Sequence, residues 1–396
     1  MNKLIPLLGL LAAFPPLSTD MYLPAIPSLQ AQWGVSLAAA NFTLVAFFLS
    51  FSFSLLFYGP LSDRFGRRPL LMAGIVGFVA SSLLCAASNG VGQMIGFRVL
   101  QGAGAASGSA LSMAIARDCF ASRDRERIFA HVGVIIALAP MIAPVLGGLM
   151  LKWLSWRWIF VVQAVLGGIS FWGVHRIREP LKDRNQVPVL KMAGRYIRLF
   201  RNRRYLGLNL TMAFGIWPLF AFIGGSADIY IRRFGLSEQA YSYFFAFNAV
   251  ALMGGFYLCG RLLKRFPSMS LMIGGFTGVF LGGIILLALA GGTPWRLALP
   301  MALISVCMGV SRPLANSLVL DQVETDVGAA SSLMMFTYFS CGCLAMWVIS
   351  LPWSDKIRVL ATTSAGAALV VICTLSLFQR TGRRRPALKP AGRIET

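Results

Sequence analysis

"GPLSDRFGRRP", residues 59–69, is a short polar interval between two long apolar runs at about 41–60 and 70–88. Each flanking run has the roughly 20 residues needed to cross a hydrocarbon core. Arg64, Arg67 and Arg68 crowd into the gap with a single acid, Asp63. A gap of this kind reads as a loop joining two membrane-crossing helices, with its basic residues held at one membrane face. Outward from it, comparable runs recur at about 4–26, 92–116, 129–151, 157–177, 205–227, 238–260, 269–290, 297–318, 329–350 and 356–378. With the first two, twelve spans are expected. Composition agrees: 57% of the 396 residues are hydrophobic, only 13% are charged, and the mean hydropathy is +0.71. A soluble domain carries about a quarter charged residues. The expected fold class is an all-α polytopic membrane protein. The first run does not read as a cleavable signal, because Pro15 and Pro16 interrupt it, Asp20 sits in it and no small-residue cleavage pattern follows.

Charge gives an orientation. With the N-terminus inside, the inner segments hold 27 of the 36 lysines and arginines and the outer loops hold 7, while Arg98 and Arg312 fall within spans. The positive-inside rule then places both termini in the cytoplasm. The formal net charge of +22 is spread over inner loops and tail, where anionic headgroups attract it. No span-free basic domain exists to grip nucleic acid; membrane lipids are the expected partners of these charges. The seven cysteines fall mostly within spans and show no zinc-like spacing, so no metal site is expected.

The longest polar interval, 178–204, divides the spans six and six. Leu190, Tyr196, Ile197, Leu199 and Phe200 alternate there with lysines and arginines, a pattern that suits an amphipathic helix on the inner leaflet. The expected organisation is therefore a six-helix bundle over 1–178, a cytoplasmic linker over 179–204, a second six-helix bundle over 205–379 and a basic cytoplasmic tail over 380–396. "GPLSDRF" at 59–65 and "GRLLKRF" at 260–266 each follow the second span of their half and agree at glycine, leucine, arginine and phenylalanine. Two duplicated bundles are the signature of a rocking transporter with its site between the halves.

The loop at 59–69 resembles the signature of the major facilitator superfamily, G-x-L-[SA]-D-R-x-G-R-[RK], at every defined position. The resemblance implies two six-helix bundles related by a pseudo-two-fold axis, with Gly59, Asp63, Arg64, Gly66, Arg67 and Arg68 forming an inner-gate latch. Glycines at 59 and 66 would permit a tight turn and close helix approach, and Asp63 would face the positive end of a helix dipole. "RVLQGAGAASGSALSMAIARD", 98–118, looks like the family's fourth-span motif; its Gly104 and Gly108 form a GxxxG row suited to close packing. "ALAPMIAPVLGG", 137–148, is similar to the fifth-span motif of the antiporter branch through Pro140, Pro144, Gly147 and Gly148. It departs from that motif at Ala139 and Ala143, where glycines are usual.

"LSTDMYLPAIP", 17–27, resembles the first span of the Bcr/CflA-type drug:proton antiporters, and "SWRWIF" at 155–160 and "FGLS" at 234–237 fit the same branch. That resemblance spans about 4–378. It implies proton-coupled export of drugs or other small amphipathic compounds across the bacterial cytoplasmic membrane by alternating access, with Asp20 handling the proton or a cationic substrate. Export of one endogenous metabolite, such as a siderophore or antibiotic, and proton-linked import stand as the alternatives. Protons would be the coupling ion, no further cofactor is expected, and the working unit is expected to be a monomer.

An ionised acid within a span costs about 2.5–3.5 kcal/mol on insertion scales, so Asp20 needs a reason to be there. Counted from the expected span ends, Asp20 and Arg98 sit at a similar depth, roughly 9 Å. They could form a buried acid–base pair facing a shared cavity, either for proton coupling or simply to tie two helices together. Tyr22, Asn41, Gln101, Trp217 and Asn248 are candidate cavity residues, or else interhelical hydrogen-bonding groups. Arg312 could meet an anionic substrate or snorkel to the surface. Asp228 reads first as an i,i+4 partner of Arg232. No glycine loop for a nucleotide and no nucleophile–base pair appears, and the chain holds two histidines, so neither an ATP-driven pump nor an enzyme is expected.

Overall fold

The computed structural model describes residues 4–120, 122–181, 189–289 and 292–382. Among these residues every regular element is helical. The first span is a bent pair, α1 (Leu4–Ala12) and α2 (Phe14–Trp33), meeting at 47°. Eleven further helices are long and apolar enough to cross a membrane. They are α3 (Leu37–Phe65), α4 (Arg67–Ala87), α5 (Val91–Cys119), α6 (Ser122–Trp153) and α7 (Arg157–His175), then, beyond a short α8 (Val189–Arg201), α9 (Arg203–Arg233), α10 (Glu238–Leu262), α11 (Ser268–Ala288), α12 (Pro294–Leu320), α13 (Val327–Ser350) and α14 (Lys356–Gly382). The expected positions of all twelve spans coincide with these helices, but the first is longer than expected. It runs through a 3-10 turn at Leu23–Ala25 to Trp33 instead of ending near residue 26.

Packing repeats between the halves. In the first half α3 and α4 both pack on α5, and α4 packs on α7; in the second α10 and α11 both pack on α12, and α11 packs on α14. The first span packs on α6 as α9 packs on α13. The seams between halves obey the same symmetry, pairing α3 with α13 and α6 with α10. This is a pair of six-helix bundles with pseudo-two-fold symmetry. The local sequence repeats too. Trp33-Gly34-Val35-Ser36 and Phe234-Gly235-Leu236-Ser237 each end a span with a glycine at positive φ (61° and 70°). Each then caps the next helix with a serine hydroxyl that accepts from a backbone N–H three residues on (Ala39 and Ala240, both 3.2 Å).

The small-residue rows work as close-packing faces. A side chain at Gly104 would meet the backbone of Phe78 and Gly74, and one at Gly108 the carbonyl of Leu11. At the 59–69 loop the turn falls on Gly66 alone, whose φ of +105° disfavours any side chain. Gly59, expected to share in that turn, lies inside α3 with open space around it. The amphipathic helix expected in the linker is α8. Leu199 is buried, while Ile197 and Phe200 are exposed. The basic tail beyond residue 382 lies outside the described residues.

Candidate functional site: a charged apolar cavity between the halves

Prolines shape the site. Pro15 and Pro16 open α2, and Pro24 lacks the N–H that the Asp20 carbonyl would otherwise receive, so the helix breaks beyond Asp20. The break frees carbonyls that the rest of the bundle must satisfy. Tyr22 N–H turns to the Thr19 carbonyl (3.1 Å). The Ser18 carbonyl accepts from Arg98 Nη1 (3.0 Å), and the Leu17 carbonyl from Gln163 Nε2 (3.3 Å). Arg98 is fully buried and also donates to Gln101 Oε1 (2.6 Å) and the Thr43 carbonyl (3.4 Å). The rings of Phe47 and Tyr22 stand 4.5 and 5.0 Å from its guanidinium carbon.

The expected Asp20–Arg98 acid–base pair is therefore not formed. Arg98 is spent on the broken helix, and Asp20 takes part in none of the ion pairs found among the described residues. Its one side-chain hydrogen bond is from Thr19 Oγ1 (2.9 Å), whose hydroxyl also reaches the Pro15 carbonyl (3.0 Å). The two residues do share a level, since Arg98 reaches the Ser18 carbonyl and the Tyr22 ring on either side of Asp20. What separates them is direction: Asp20 borders the space between the halves, and Arg98 is turned into the first half.

Asp20 instead lines a cavity of about 250 Å³ between the two halves. The first half contributes Pro15, Pro16, Thr19, Asp20, Phe48, Ile136 and Pro140; the second contributes Phe220, Phe222, Phe245, Asn248, Arg312 and Phe339 among others. Phe48, Phe220 and Phe339 pack mutually, with ring centres 5.3–5.9 Å apart. The walls are almost wholly apolar, and the exceptions are one acid, one arginine, Thr19 and Asn248. Asn248 accepts from Ser305 Oγ at 3.0 Å, which holds its amide in place. A concave apolar site with few polar groups is the ordinary form of a small-molecule site. Among the described residues no cluster of histidine, cysteine or acid could hold a metal ion.

Of the residues expected to line a cavity, Asn248 and Arg312 do so. Tyr22 is buried and bonded to Thr43 Oγ1 (3.0 Å), and Gln101 is bonded to Ser82 Oγ and Gln163 Oε1 (both 2.8 Å), so both are packing groups of the first half. Trp217 is half-buried, stacked on Phe214 at 5.8 Å. Asn41 is a seam residue. Its amide donates to the Gly224 carbonyl and to Ser350 Oγ, both 2.6 Å away on the other half. Sequence reasoning passed over the aromatic wall. Phenylalanine is abundant here, 29 residues, and nothing in the pattern separates a cavity phenylalanine from a lipid-facing one.

The two ends of the seam differ. At the end away from the basic loops, Asn41 bridges the halves, Ser28 Oγ donates to Glu238 Oε1 (3.4 Å), and Gly148 lies against Ser242 and the Glu238 carbonyl. Gly147, its neighbour in the antiporter-like motif, abuts the Met21 backbone, and Pro140 faces the cavity, while Pro144 also lies within the helix. At the basic end the halves part around an opening of about 410 Å³ lined by Gly59, Asp63, Arg67, Arg195, Tyr196 and Ser332 among others. The loop expected to latch across the halves is held within the first. Asp63 pairs with Arg67 (2.7 Å), Arg67 with Asp118 (2.9 Å) and with Ser62 Oγ, and the Arg67 and Arg68 backbone N–H groups donate to Glu179 (2.9 and 3.1 Å). Arg68 donates to the His175 carbonyl (2.8 Å), and Arg64 lies over Phe65. The crossing contacts here come from α8: Tyr196 donates to the Leu56 carbonyl (2.8 Å), and Arg198 and Arg195 pair with Asp326 (2.7 and 3.4 Å).

Asp228, expected to pair with Arg232, holds Lys356 more closely (2.6 against 3.7 Å). It lies at the sealed end.

Comparison with known proteins agrees with the architecture. The model of the Major Facilitator Superfamily matches residues 8–346. A bicyclomycin resistance protein homolog of Haemophilus influenzae is 28% identical over 381 residues, 95% of each chain. Multidrug resistance protein D of Escherichia coli is 26% identical over 383 residues, 96% of each. Among solved structures, a D-xylose–proton symporter superposes with a TM-score of 0.73 at 15% identity, covering 93% of this chain and 97% of that one, which speaks to fold alone. Relatives and structural neighbours are transporters, not enzymes. The chain belongs to the Major Facilitator Superfamily, among relatives of the Bcr/CflA-like drug-efflux kind.

Proposed function

We propose that this transporter exports drug-like amphipathic organic molecules in exchange for protons, with Asp20 as the coupling carboxylate. The observation that carries the reading is the cavity. Asp20 has no cation partner among the described residues, is reached from both halves and is walled by aromatic rings that suit a flat apolar molecule. A carboxylate so placed can exchange its proton for substrate as the halves rock. Arg98 serves it indirectly, by fixing the broken helix that presents it. The names of the relatives point the same way, since they are resistance proteins for bicyclomycin, chloramphenicol and multiple drugs.

On this reading the basic end faces the cytoplasm of a bacterial cell, with both termini inside and a bacterial inner membrane as host. The seam geometry then corresponds to an inward-facing state, closed outside and parted inside. Residues 1–178 and 205–379 are the rocking units, 179–204 joins them, and a monomer suffices. Inner lipids meet the basic loops, and the cluster at Asp63, Arg67, Asp118 and Glu179 re-forms its contacts when the inner gate closes.

The test is substrate-induced proton release from purified protein and pH-driven uptake into inverted vesicles, comparing wild type with Asp20→Asn. The amide keeps the shape but carries no exchangeable proton. Loss of proton release and of uphill transport, with downhill movement of an uncharged substrate retained, is expected. Undiminished release from the Asn variant would assign the proton to another group.

A further inference from the structure

Arg312 does not behave like a structural arginine. It sits on α12 beside Pro313, among the apolar residues Met212, Ile216, Phe276 and Met308. Among the described residues it makes no hydrogen bond or ion pair, and its guanidinium carbon stands 6.0 Å from the centre of the Tyr338 ring. An arginine in apolar surroundings normally secures its five donors with carboxylates, carbonyls or water. This one borders the same cavity as Asp20 and is left free to meet what enters.

We propose that Arg312 is the anchor for an anionic group of the transported molecule, so that the substrates are amphipathic organic acids and zwitterions bearing a carboxylate or an equivalent oxyanion. The inference rests on the transport reading above and deepens it. A guanidinium fork matches a carboxylate with two parallel hydrogen bonds, which gives orientation as well as affinity. The aromatic cluster of Phe48, Phe220 and Phe339 takes the apolar body. When Asp20 is protonated the cavity holds one net positive charge, complementary to an acid. When Asp20 is ionised the two charges together suit a zwitterion, with its amine toward Asp20. Either occupant neutralises Arg312, which no described residue does. The lipid-facing alternative, snorkelling to the basic surface, gives the side chain no reason to border an interdomain cavity.

The experiment uses the full chain in lipid nanodiscs and a matched pair of fluorescent probes, dansyl-phenylalanine with its free carboxylate and the methyl ester of the same molecule. Wild type is expected to bind the acid more tightly than the ester. In Arg312→Gln that selectivity should fall about tenfold or more, the scale of one lost charge-assisted interaction. Arg312→Lys should recover part of it. Equal weakening of acid and ester in both variants, with restored packing in neither, would make Arg312 a structural residue. A wild type that prefers the ester or does not bind the acid would also overturn the proposal. If selectivity behaves as expected yet binding releases no proton, the anchor stands and the antiport reading fails. If proton-linked export holds while Arg312→Gln treats the two probes as wild type does, the anchor fails alone.

Discussion

Arg98 and Arg312 occupy matching helices of the two halves, α5 and α12, each the helix on which two neighbours of its own bundle pack. One is engaged. Arg98 donates to two carbonyls and an amide oxygen and lies against the rings of Phe47 and Tyr22. The other is bare. Arg312 meets a tyrosine ring at 6.0 Å and borders a cavity. Duplication supplied two equivalent scaffolds, and the charge each carries was put to a different use. In the first half a proline-broken helix needed donors for its freed carbonyls, and an arginine provided them. In the second half a break at Gly215–Ile216 also lies beside the arginine, but among the described residues no carbonyl receives its donors.

The largest effect should come from breaking the engaged member. Arg98→Ala strands the Ser18 carbonyl and the Gln101 amide oxygen in a buried site, and each unsatisfied group costs about 1–3 kcal/mol. We expect a marked loss of folded yield and of thermal stability in detergent. Arg312→Ala should leave both nearly unchanged, because it removes no hydrogen bond. Equal destabilisation by the two substitutions would erase the contrast.

A smaller effect separates the two ends of the seam. Asn41 ties α3 to the Gly224 carbonyl and to Ser350 Oγ at the sealed end, whereas the basic end is crossed only through α8 among the contacts described above. Asn41→Ala should leave the fold intact and shift the population toward opening at the sealed end. A pair of spin labels at that end should then show a longer distance in the variant than in wild type. An unchanged distance distribution would mean that the glycine contacts at Gly147 and Gly148 suffice to hold the seam.

How far the sequence foretold this depends on the kind of feature. Span positions were legible because twenty apolar residues have few other uses, and so was α8, whose rings and charges alternate at helical spacing. The inner loop was legible as a motif, but its partners were not. Asp118 and Glu179 lie 51 and 112 residues from Arg67, and only the fold brings them together. Even so, with only 14 acids in the chain, an acid at the basic face was a reasonable suspect. The pairing at Asp20 failed on direction. Spacing along a span sets Asp20 level with Arg98 but does not say which face of a proline-broken helix each side chain takes; Asp20 borders the cavity, and Arg98 turns to the freed Ser18 carbonyl. Arg312 was recognised as unusual but could not be placed, since cavity and lipid faces of a helix so apolar look alike in sequence. The Trp33–Ser36 and Phe234–Ser237 repeat was readable, and stronger than the loop repeat at 59–65 and 260–266, because positive-φ glycine and a serine cap are both demanded by geometry.

The smallest effect should come from an acid at the sealed end that does not line the cavity, and it sharpens what is special about Asp20. Asp355 lies in the loop before α14, where Arg233 Nη1 donates to it at 2.6 Å and the backbone N–H groups of Ile357 and Arg358 donate at 3.0 and 3.3 Å. The Arg233 hydrogen bond, foremost, holds its carboxyl below the usual aspartate value of 3.8. A carboxyl so lowered contributes stability above its unfolded value, and that contribution is lost as pH falls below 3.8 through the folded value. The carboxylate is thus ionised throughout the range in which transport would be measured, about pH 5 to 9. Asp355→Asn should therefore cost a little stability, uniformly across that range, because the exposed part of the pair is screened by water and salt. It should leave the pH profile of transport unmoved. The same measurement on Asp20→Asn should abolish the pH dependence itself. If Asp355→Asn displaced the profile instead, the proton path would run past the sealed end, and the free carboxylate in the cavity would lose its claim to be the coupling group.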